Sequence, residues 1–552
     1  MHWWDKAAQA VRKGGTRQFG FVTTNSITQL FSRRVIAKHL DAKDGVSLRF
    51  AIPNHPWVDE KDGAAVRIAM TMAAKGKTDG ALLDVVDERE APERIELVQR
   101  SGIIGSDLRV GAELTATIPL KANSRIASRG VQLMGDGFIV TSEQAHQLDP
   151  KSLAIAGGET ADQPPHVRTG VGIEAQVIFD YRNGRDLASR SRGVMAIDLY
   201  GLSEADVRAK YPAVFQHLLS SVKPHRDTNN RGSYRDQWWL YGETRSELRK
   251  ALAGIRRYIA TIETAKHRVF QFLPISTLPD NKLVCIALHD AYELGVLSSR
   301  FHVPWAIGSG GRLGMGDDPV YVKSRCFDPF PFPADVPEFP KAQIRAEAEA
   351  LDALRKRVLA EHPDLTLTRL YNVLEALRAN DGQGRPLTDT ERDIHDRGLV
   401  TLIRQHHDAI DDGVANAYGW GDEHRAGTLD DETILVRLVA LNKERTAEEA
   451  RGLIRYLRPE FQDPGYRAPI SATLDLGEAE ALPVSNVILW PATLTDQVGA
   501  VQAILAAAPQ PLGPQDIARN FKGKRGATVR PVLDALASLG MARRLNDGRY
   551  AA

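Results

Sequence analysis

Apolar residues recur at helical spacing at the start of the chain and stop at a pair of glycines. The apolar stripe consists of Trp3, Trp4, Ala7, Ala8 and Val11. Gly14 and Gly15 follow it, and glycine commonly ends a helix because it adopts the left-handed backbone conformation without strain. The pattern predicts an amphipathic helix whose apolar face includes both tryptophans.

The residues that follow favour β-structure. Residues 19–23 predict a strand, and Asn25 or Ser26 can cap a second helix, whose apolar positions are Ile27, Leu30, Phe31 and Val35. Residues 46–52 predict another strand, and the alternation of apolar residues over 66–72 predicts its partner in a hairpin.

The strand at residues 19–23 needs neighbours if it belongs to a parallel sheet with both faces buried. The chain offers no earlier strand for that purpose. We therefore expect either that another segment supplies the neighbouring strand or that Met1 is not the true beginning.

Three later segments have helical periodicity and are rich in Ala, Leu, Glu and Arg: residues 341–377, 391–412 and 432–457. They predict a helical region that braces the protein or packs against a partner. We expect most of its charges to lie on solvated faces.

The end of the chain predicts a separate small unit. Residues 498–505, 514–521 and 527–539 predict three helices, and residues 541–545 and 549–551 predict a two-stranded wing turned at Asp547-Gly548. This order is similar to that of a winged helix-turn-helix. Residues 519–549 contain eight Lys or Arg against two Asp, which suits DNA contact by the third helix and wing, although many winged helices bind proteins instead.

The composition excludes several classes of protein but does not identify a function. With 552 residues the chain is long enough for about three to four domains. Its 71 Lys plus Arg against 70 Asp plus Glu give a net charge of +1, so only local clusters of charge can indicate a partner. Two cysteines exclude a disulfide framework, and the apolar runs are shorter than the ~20 residues that cross a bilayer. We expect a cytoplasmic protein without a membrane partner.

Several segments resemble the large adenine-specific DNA methyltransferases of combined restriction-modification systems, in which one polypeptide methylates and recognises its target. The segments are FVTTNSITQ (21–29), RGVQLMGDGF (129–138), YRNGRDL (181–187), KHRVF (266–270), LPDN (278–281), LGVLSSR (294–300), RCFDPFPFP (325–333), EEARGLIR (448–455) and LRPE (457–460). Each is weak alone, but their order and spacing together are specific. The resemblance covers nearly the whole chain.

The resemblance implies a fold in four parts. Residues 1–140 are expected to form the carboxyl-side half of a class I methyltransferase domain, an α/β remnant of a Rossmann-like sheet that ends in a strand hairpin. Residues 141–335 are expected to form a mixed α+β target-recognition domain, residues 336–480 a helical spacer, and residues 481–552 the winged helix.

The departures from the family concern catalysis. The family binds S-adenosylmethionine at a glycine-rich turn and holds a flipped adenine with Asn/Asp-Pro-Pro-Tyr/Phe. Neither motif occurs in this sequence, and its one Pro-Pro pair, Pro164-Pro165, lies in a polar stretch that predicts a linker turn. S-adenosylmethionine is therefore expected only in the complete enzyme, and the chain alone is expected to be inactive. Its other half is expected either in the same polypeptide or in a separately encoded one.

Candidate DNA contacts follow from the resemblance and from local charge. They are Arg129, Lys266, Arg268, Arg300, Arg312, Lys323 and Arg325 in the recognition part, and Lys524, Arg525 and Arg530 in the winged helix. Residues 223–268 also contain eleven Lys or Arg against five acids, interleaved with Tyr234, Trp238, Trp239, Tyr241 and Tyr258. This mixture suits a surface that follows phosphates and stacks on bases, or else a solvated face whose aromatic residues point into the core.

The sequence gives little support for a phosphate-binding loop, a metal site or a nuclease. The glycine-rich residues 308–316 lack the Gly-Lys-Ser/Thr ending of a phosphate-binding loop, and they predict a recognition loop or a plain structural one. No histidine and carboxylate spacing suits a metal, and Pro279-Asp280 and Pro363-Asp364 lack the acid-x-Lys partner of a nuclease.

Two functional hypotheses remain. The first is sequence recognition on double-stranded DNA as part of an adenine-N6 methyltransferase. The alternative is a non-catalytic DNA-binding specificity or regulatory subunit. Composition does not separate them, but binding of S-adenosylmethionine by the purified chain would.

Overall fold

The protein has a mixed α/β architecture with several sheets and many helices. The computed structural model describes residues 1–28, 30–57, 67–87, 96–149, 176–313, 318–380, 385–467, 490–491, 493–508, 511–522, 525–538, 541–545 and 548–551. Contacts divide the chain into two compact units, Met1–Tyr466 and Arg467–Ala552. The predicted linker turn at Pro164-Pro165 lies outside the described residues.

The strands are β1 Gln18–Thr24, β2 Val46–Pro56, β3 Arg67–Lys75, β4 Gly80–Asp87, β5 Glu96–Gly102, β6 Ala127–Arg129, β7 Ile139–Val140, β8 Ile178–Arg182, β9 Met195–Ile197, β10 Arg257–Ile262, β11 Phe270–Pro274, β12 Thr277–Pro279, β13 Leu283–Ile286, β14 Gly311–Leu313, β15 Asp318–Val320, β16 Arg543–Arg544 and β17 Tyr550–Ala551.

The helices are α1 His2–Arg12, α2 Leu30–Leu40, α3 Ser142–Leu148, α4 Gly184–Ala188, α5 Glu204–Lys210, α6 Pro212–Ser221, α7 Lys223–Asp227, α8 Gly232–Asp236, α9 Ser246–Leu252, α10 Ala291–Ser298, α11 His302–Ser309, α12 Lys323–Cys326, α13 Glu338–Glu361, α14 Leu367–Asn380, α15 Asp389–Arg397, α16 Val400–Ala417, α17 Gly421–Arg425, α18 Asp431–Ala450, α19 Pro459–Gln462, α20 Leu494–Ala507, α21 Pro514–Ala518 and α22 Gly526–Ser538. Short 3-10 helices lie at Asn25–Thr28, Leu114–Ala116, Lys121–Asn123 and Asp136–Phe138.

The first sheet has the strand order β1-β3-β2-β4-β5. The expected hairpin is present as β2 and β3, which run antiparallel, and β1 pairs antiparallel with β3. Among the described residues β1 has no second neighbour, so it is an edge strand, and Val22 on it is 56% exposed. Helix α1 buries Trp4 against this sheet, but Trp3 is 72% exposed, which corrects the expectation that both tryptophans lie on the apolar face.

Two further four-stranded sheets build the middle of the chain. One has the order β11-β10-β13-β6 and the other β12-β8-β9-β7. Strand β6 belongs to residues expected in the methyltransferase half, yet it pairs antiparallel with β13. Side chains alternate between the two faces of a strand. Residues of the first of these sheets belong to one hydrophobic core, and residues of the second belong to another.

The helical region shares a core with the β10 sheet. Helix α13 packs against α10 and α16, and apolar residues from β10, α13, α16 and α18 form one cluster. The expected boundary at residue 335 therefore does not separate two cores. The single helical segment expected over 341–377 is two helices, α13 and α14, interrupted next to Pro363, which cannot continue a helix hydrogen-bond ladder.

Residues 118–124, which include the 3-10 helix Lys121–Asn123, run between these parts and are hydrogen-bonded by side chains from far along the chain. Asn442 on α18 accepts the Ile118 N–H at 3.0 Å and donates to the carbonyls of Ile118 and Pro329 at 2.8 and 2.7 Å. The Glu449 carboxylate accepts the N–H groups of Lys121 and Ala122 at 2.8 and 2.9 Å. These contacts satisfy peptide groups that would otherwise be buried without partners.

The same segment bonds back to the rest of the fold. The Asn123 amide donates to the carbonyls of Phe327, Asp328 and Phe330 at 3.0, 3.1 and 2.7 Å. The Gln462 amide donates to the carbonyls of Ala122 and Ser124, both at 2.8 Å. Residues 118–124 are thus held on one side by α18 and α19 and on the other by the residues that follow α12.

The second unit contains the expected order of helices and a strand pair. Helices α20, α21 and α22 surround a core that includes Val501, Ile517 and Leu533. Strands β16 and β17 pair antiparallel, and Leu512 bridges to Tyr550. The assignment of this unit as a winged helix remains a prediction.

Two searches of the described residues bear on possible partners. No helix in the described ranges is long and apolar enough to cross a membrane. Within the same ranges, no group of three or more His, Cys, Asp or Glu residues is placed to hold a metal ion.

Replacing Asn442 by leucine should lower the free energy of unfolding of the first unit by about 2 kcal/mol, because the buried Pro329 carbonyl and the partly buried peptide groups of Ile118 lose their partner. The measurement is urea unfolding followed by circular dichroism. Glu444→Leu, at an exposed position on the same helix, is the control and should change stability by less than about 0.5 kcal/mol. Equal stability of the two variants would contradict this account of the segment.

Candidate nucleic-acid interface

Charges from separate elements act on the buried Arg33: the carboxyl of Asp107 and the guanidinium groups of Arg109 and Arg325. Arg33 lies on α2, Arg109 follows β5, and Arg325 lies on α12. Burial lowers the pKa of the Arg33 guanidinium; Asp107 opposes that change, and the charges of Arg109 and Arg325 lower the pKa further. We call these three arginines with Asp107 the arginine junction.

Two glycines make room for the guanidinium groups of the arginine junction. A Cβ atom on Gly308, in α11, would lie 3.0 Å from Arg109 Nη1, closer than most Cβ contacts allow. A Cβ on Gly311, at the start of β14, would lie 3.5 Å from Arg325 Nη2. Gly308 also lies against Leu114, whose Cδ1 would overlap a Cβ atom there, so its lack of a side chain allows close packing against both residues.

Asp107 does not neutralise the arginine junction. It is 3% exposed, its Oδ1 accepts the Arg109 backbone N–H at 3.2 Å, and its buried Oδ2 has no hydrogen-bond partner among the described residues. Burial raises the pKa of this carboxyl, while Arg109 and Arg33 act in the opposite direction. One carboxyl against three guanidiniums leaves an excess of positive charge that suits a phosphate oxyanion.

A two-stranded hairpin stands beside the arginine junction. Strands β14 and β15 pair antiparallel, with Arg312 opposite Pro319. The backbone of Arg312 therefore lies on this hairpin, although its side chain is outside the described residues. The glycine-rich residues 308–316, expected to form a loop, begin instead as the end of α11 and continue as β14. That part of the loop prediction was wrong.

Arg268 anchors the base of the hairpin from inside the protein. It is 7% exposed, and its guanidinium donates to Pro319 O at 3.0 Å, to Thr261 Oγ1 at 3.2 Å and to Ile262 O. Burial lowers its pKa. The structure thus places a predicted DNA contact in the interior with its donors already used, so Arg268 positions the hairpin and is not carried into the proposed interface.

Arg300 also serves the fold. Its Nη2 donates to Asp431 Oδ1 at 2.7 Å and to Leu429 O at 3.2 Å, which fastens the α10–α11 junction to α18. Its backbone N–H donates to the buried Asp411 on α16 at 2.8 Å. Burial raises the pKa of Asp411 to about 7. Unlike Arg268, Arg300 is partly exposed, with 34% of its side chain accessible, so its contact with DNA stays a prediction.

Three other candidates are solvent-accessible but have partners in the protein. Arg129 forms an ion pair with Glu263, Lys266 donates to Asn372 Oδ1 at 2.7 Å, and Lys323 pairs with Asp328 at 2.8 Å. Arg325 differs, because it has no carboxylate partner within the described part of the chain. Their contact with DNA stays a prediction.

The aromatic residues of the basic segment 223–268 are in the core. Tyr234, Trp238, Tyr241 and Tyr258 are between 0 and 8% exposed, and Tyr241 donates to the carbonyl of Ile197 at 2.6 Å. The expectation that these side chains stack on bases was wrong, because they fill the interior between helices and sheets. The alternative of a solvated face over buried aromatic residues describes this segment.

Two of the three predicted DNA contacts in the second unit are exposed. Arg525, directly before α22, and Arg530, on α22, are both exposed. Lys524 lies outside the described residues. Their role in DNA contact also stays a prediction.

Sequence reasoning missed Arg33, Asp107 and Arg109. None of them lies in a long basic cluster, and Arg33 and Arg325 are almost three hundred residues apart in the chain. Only the tertiary fold brings their charges within range of one another. No local pattern could have predicted it.

Comparison with known proteins gives a structural relationship. No protein-family model matches the chain, and no curated protein is similar to it in sequence. The fold is similar to that of the type IIL restriction-modification enzyme MmeI, solved in complex with DNA, with a TM-score of 0.56 and 18% identity over 81% of this chain. At that identity the likeness shows a shared fold. The alignment covers 52% of MmeI, so the chain spans about half of that enzyme's length.

A second structure aligns more weakly. The type IIG restriction endonuclease BpuSI is 11% identical over 73% of this chain and 48% of its own, with a TM-score of 0.26. That score is too low to indicate a common fold.

Asp411→Asn should make the first unit more stable at neutral pH and have little effect near pH 4. Because the pKa of Asp411 is raised to about 7 in the folded state, folding favours the protonated carboxyl. The free energy of unfolding should fall by about 1.4 kcal/mol for each pH unit between about 4 and about 7. The amide of asparagine keeps an acceptor for Arg300 N–H without a titrating proton.

The measurement is urea unfolding of the natural protein and the variant across that pH range. The difference in free energy of unfolding between the variant and the natural protein should increase as the pH rises. Asp422→Asn, at a carboxyl whose side chain is 99% exposed, is the control, and its stability difference should stay constant. If the stability difference for Asp411→Asn did not change with pH, burial would not raise the pKa of Asp411.

Proposed function

We propose that this chain recognises double-stranded DNA as part of a site-specific DNA adenine-N6 methyltransferase of a restriction-modification system. The half-buried Arg109 and Arg325 carry the proposal, because their charges act on the buried Arg33 and only Asp107, a carboxyl whose pKa burial raises, opposes them there. The fold shared with MmeI, which was solved in complex with DNA, supports it.

The junction has the physical properties of a backbone contact. A phosphate would supply the negative charge that Asp107 does not, and guanidinium groups bind phosphate oxygens through paired hydrogen bonds. The β14–β15 hairpin next to it would present Arg312 to the same duplex, with Arg268 fixing its base. Phosphate contacts would fix the position of the protein along the duplex, and side chains of the hairpin would contact base edges in a groove.

Methyl transfer would need groups that this sequence does not carry. The family's glycine-rich cofactor turn and its Asn/Asp-Pro-Pro-Tyr/Phe motif do not occur in it. We propose that a further segment, in the same or a separate polypeptide, binds S-adenosylmethionine and continues the first sheet at β1. The position of β1 supports this, because within the described ranges β1 pairs with β3 alone and its other edge can accept a further strand.

A cytoplasmic location follows from the same proposal, since its substrate would be chromosomal or invading DNA. Both cysteines, Cys285 and Cys326, are free thiols in the core, as a reducing compartment would allow. The winged-helix assignment of the second unit would add a second DNA contact through Arg525 and Arg530.

Arg109→Gln and Arg325→Gln should each weaken binding to a duplex of random sequence by about tenfold at moderate salt, because each removes a charge-assisted hydrogen bond to a phosphate. The slope of log K against log salt should become shallower by about 0.9 in each variant, since one fewer phosphate is neutralised. Fluorescence anisotropy of a labelled duplex over a salt series measures both quantities.

Arg357→Gln is the matched control, because Arg357 is exposed on α13 and the substitution removes the same charge. Its affinity should change by less than about twofold. If all three variants weakened equally, binding would reflect overall charge, and the arginine junction would not be the interface.

The purified chain should not bind S-adenosylmethionine saturably, because the cofactor motifs of the family are absent from its sequence. Equilibrium dialysis with labelled cofactor, with an intact adenine-specific methyltransferase as positive control, measures this. Saturable binding by the chain alone would overturn the proposed division between recognition and catalysis. DNA binding without any partner that restores methylation would favour a non-catalytic subunit.

A further inference from the structure

A cavity of about 440 Å³ lies in the first unit, away from the arginine junction. Helices α10, α13 and α18 form part of its wall, together with the residues that follow α12 and those that follow α18. Its apolar lining is Leu120, Ala122, Pro331, Phe332, Pro333, Ala334, Leu453, Ile454, Leu457 and Pro459. The volume lies within the range of small-molecule sites.

Two adjacent polar residues of α10 line the cavity without satisfying their hydrogen-bonding groups. Tyr292 is 5% exposed, and its hydroxyl is buried with no partner in the described ranges. Glu293 makes no side-chain hydrogen bond or ion pair with another residue there either. Burial raises the pKa of its carboxyl to about 8. Buried polar groups in native proteins nearly always have partners, so the unpaired Tyr292 hydroxyl needs an explanation. The half-buried Glu293 carboxyl beside it is open to a ligand in the cavity.

The other carboxylates of the cavity wall are already engaged. Glu449 accepts two backbone N–H groups, and Glu448 and Asp335 both bond Arg455. Asp463 accepts the N–H of Gly465 at 2.8 Å. Among the described lining residues, Glu293 is therefore the carboxyl left to receive a ligand.

The charges that face Glu293 come from two helices. Asp290, at the start of α10, raises its pKa, while Lys341 and Arg345 on α13 lower it. The Arg345 guanidinium already donates to the Asp290 carboxylate, at 2.6 and 2.8 Å, and to the Glu338 carboxylate. The Lys341 ammonium lies 5.4 Å from the centre of the Tyr292 ring, so the site holds an ammonium group close to an aromatic face.

We propose that this cavity binds a small aliphatic amine, with its ammonium group on the Glu293 carboxylate, its chain along the proline-rich wall, and a polar end against the Tyr292 hydroxyl. An ammonium supplies the counter-charge that lets Glu293 ionise in a buried place. The lining carries five acidic and three basic side chains, so a cation is favoured over an anion.

Putrescine is the probe that tests the proposal, with butanediol as its uncharged counterpart, by isothermal titration calorimetry on the full chain. Above pH 8 we expect saturable binding of putrescine and none of butanediol. Below the pKa of Glu293 the affinity should fall towards tenfold per pH unit, since binding must then release the carboxyl proton. Titrations in buffers of different ionisation enthalpy would detect that proton.

Variants separate the site from non-specific attraction. Glu293→Gln should weaken putrescine at least about tenfold while leaving thermal stability unchanged or higher, because it removes a buried charge. Lys341→Met should strengthen binding by removing a competing cation. Glu444→Gln, an exposed glutamate outside the cavity, should have no effect.

Three results would overturn the proposal. They are failure of putrescine to saturate the natural protein above pH 8, equal binding to Glu293→Gln, and equal binding of butanediol. DNA binding by the arginine junction is unaffected by any of them, because the two sites share no residue.

Discussion

Hydrogen bonds to the peptide groups of residues 118–124 set the constraint on which the first unit depends. Leu120, Ala122 and Asn123 are buried in this segment, and an unpaired peptide group there would cost about 1 to 3 kcal/mol. Here Asn442, Glu449 and Gln462 supply the partners from one side, and Asn123 returns hydrogen bonds to the residues after α12. The helical region is therefore part of the architecture that holds the sheets together.

That constraint also places the arginine junction. Residues 105–110, which carry Asp107 and Arg109, come shortly before the bonded segment, and Arg325 comes directly before the carbonyls to which Asn123 donates. The fold thus brings like charges near one another, since the charges of Arg109 and Arg325 lower the pKa of Arg33. If the proposed phosphate contact is correct, the group would need little reorganisation to bind it.

Arginine has two distinct uses in this chain. Arg268, Arg300 and Arg458 direct their donors to backbone carbonyls or carboxylates and tie elements together. Arg109 and Arg325 lie against glycines instead, and Arg325 has no carboxylate partner in the described part of the chain. Sequence cannot distinguish these uses, because the residue type and local charge are the same. Burial and partners separate them.

Periodicity in the sequence determined much of the local structure. The first helix, the β2–β3 hairpin, the long helices and the terminal helices with their strand pair follow from apolar spacing and turn residues, because those patterns depend on neighbours a few positions apart. Tertiary packing alone decided that Trp3 faces solvent, that Tyr234 and Trp238 are core residues, that Arg268 is internal, and that Arg33, Arg109 and Arg325 meet. These outcomes depend on contacts between residues far apart in the chain, for which a local pattern carries no information.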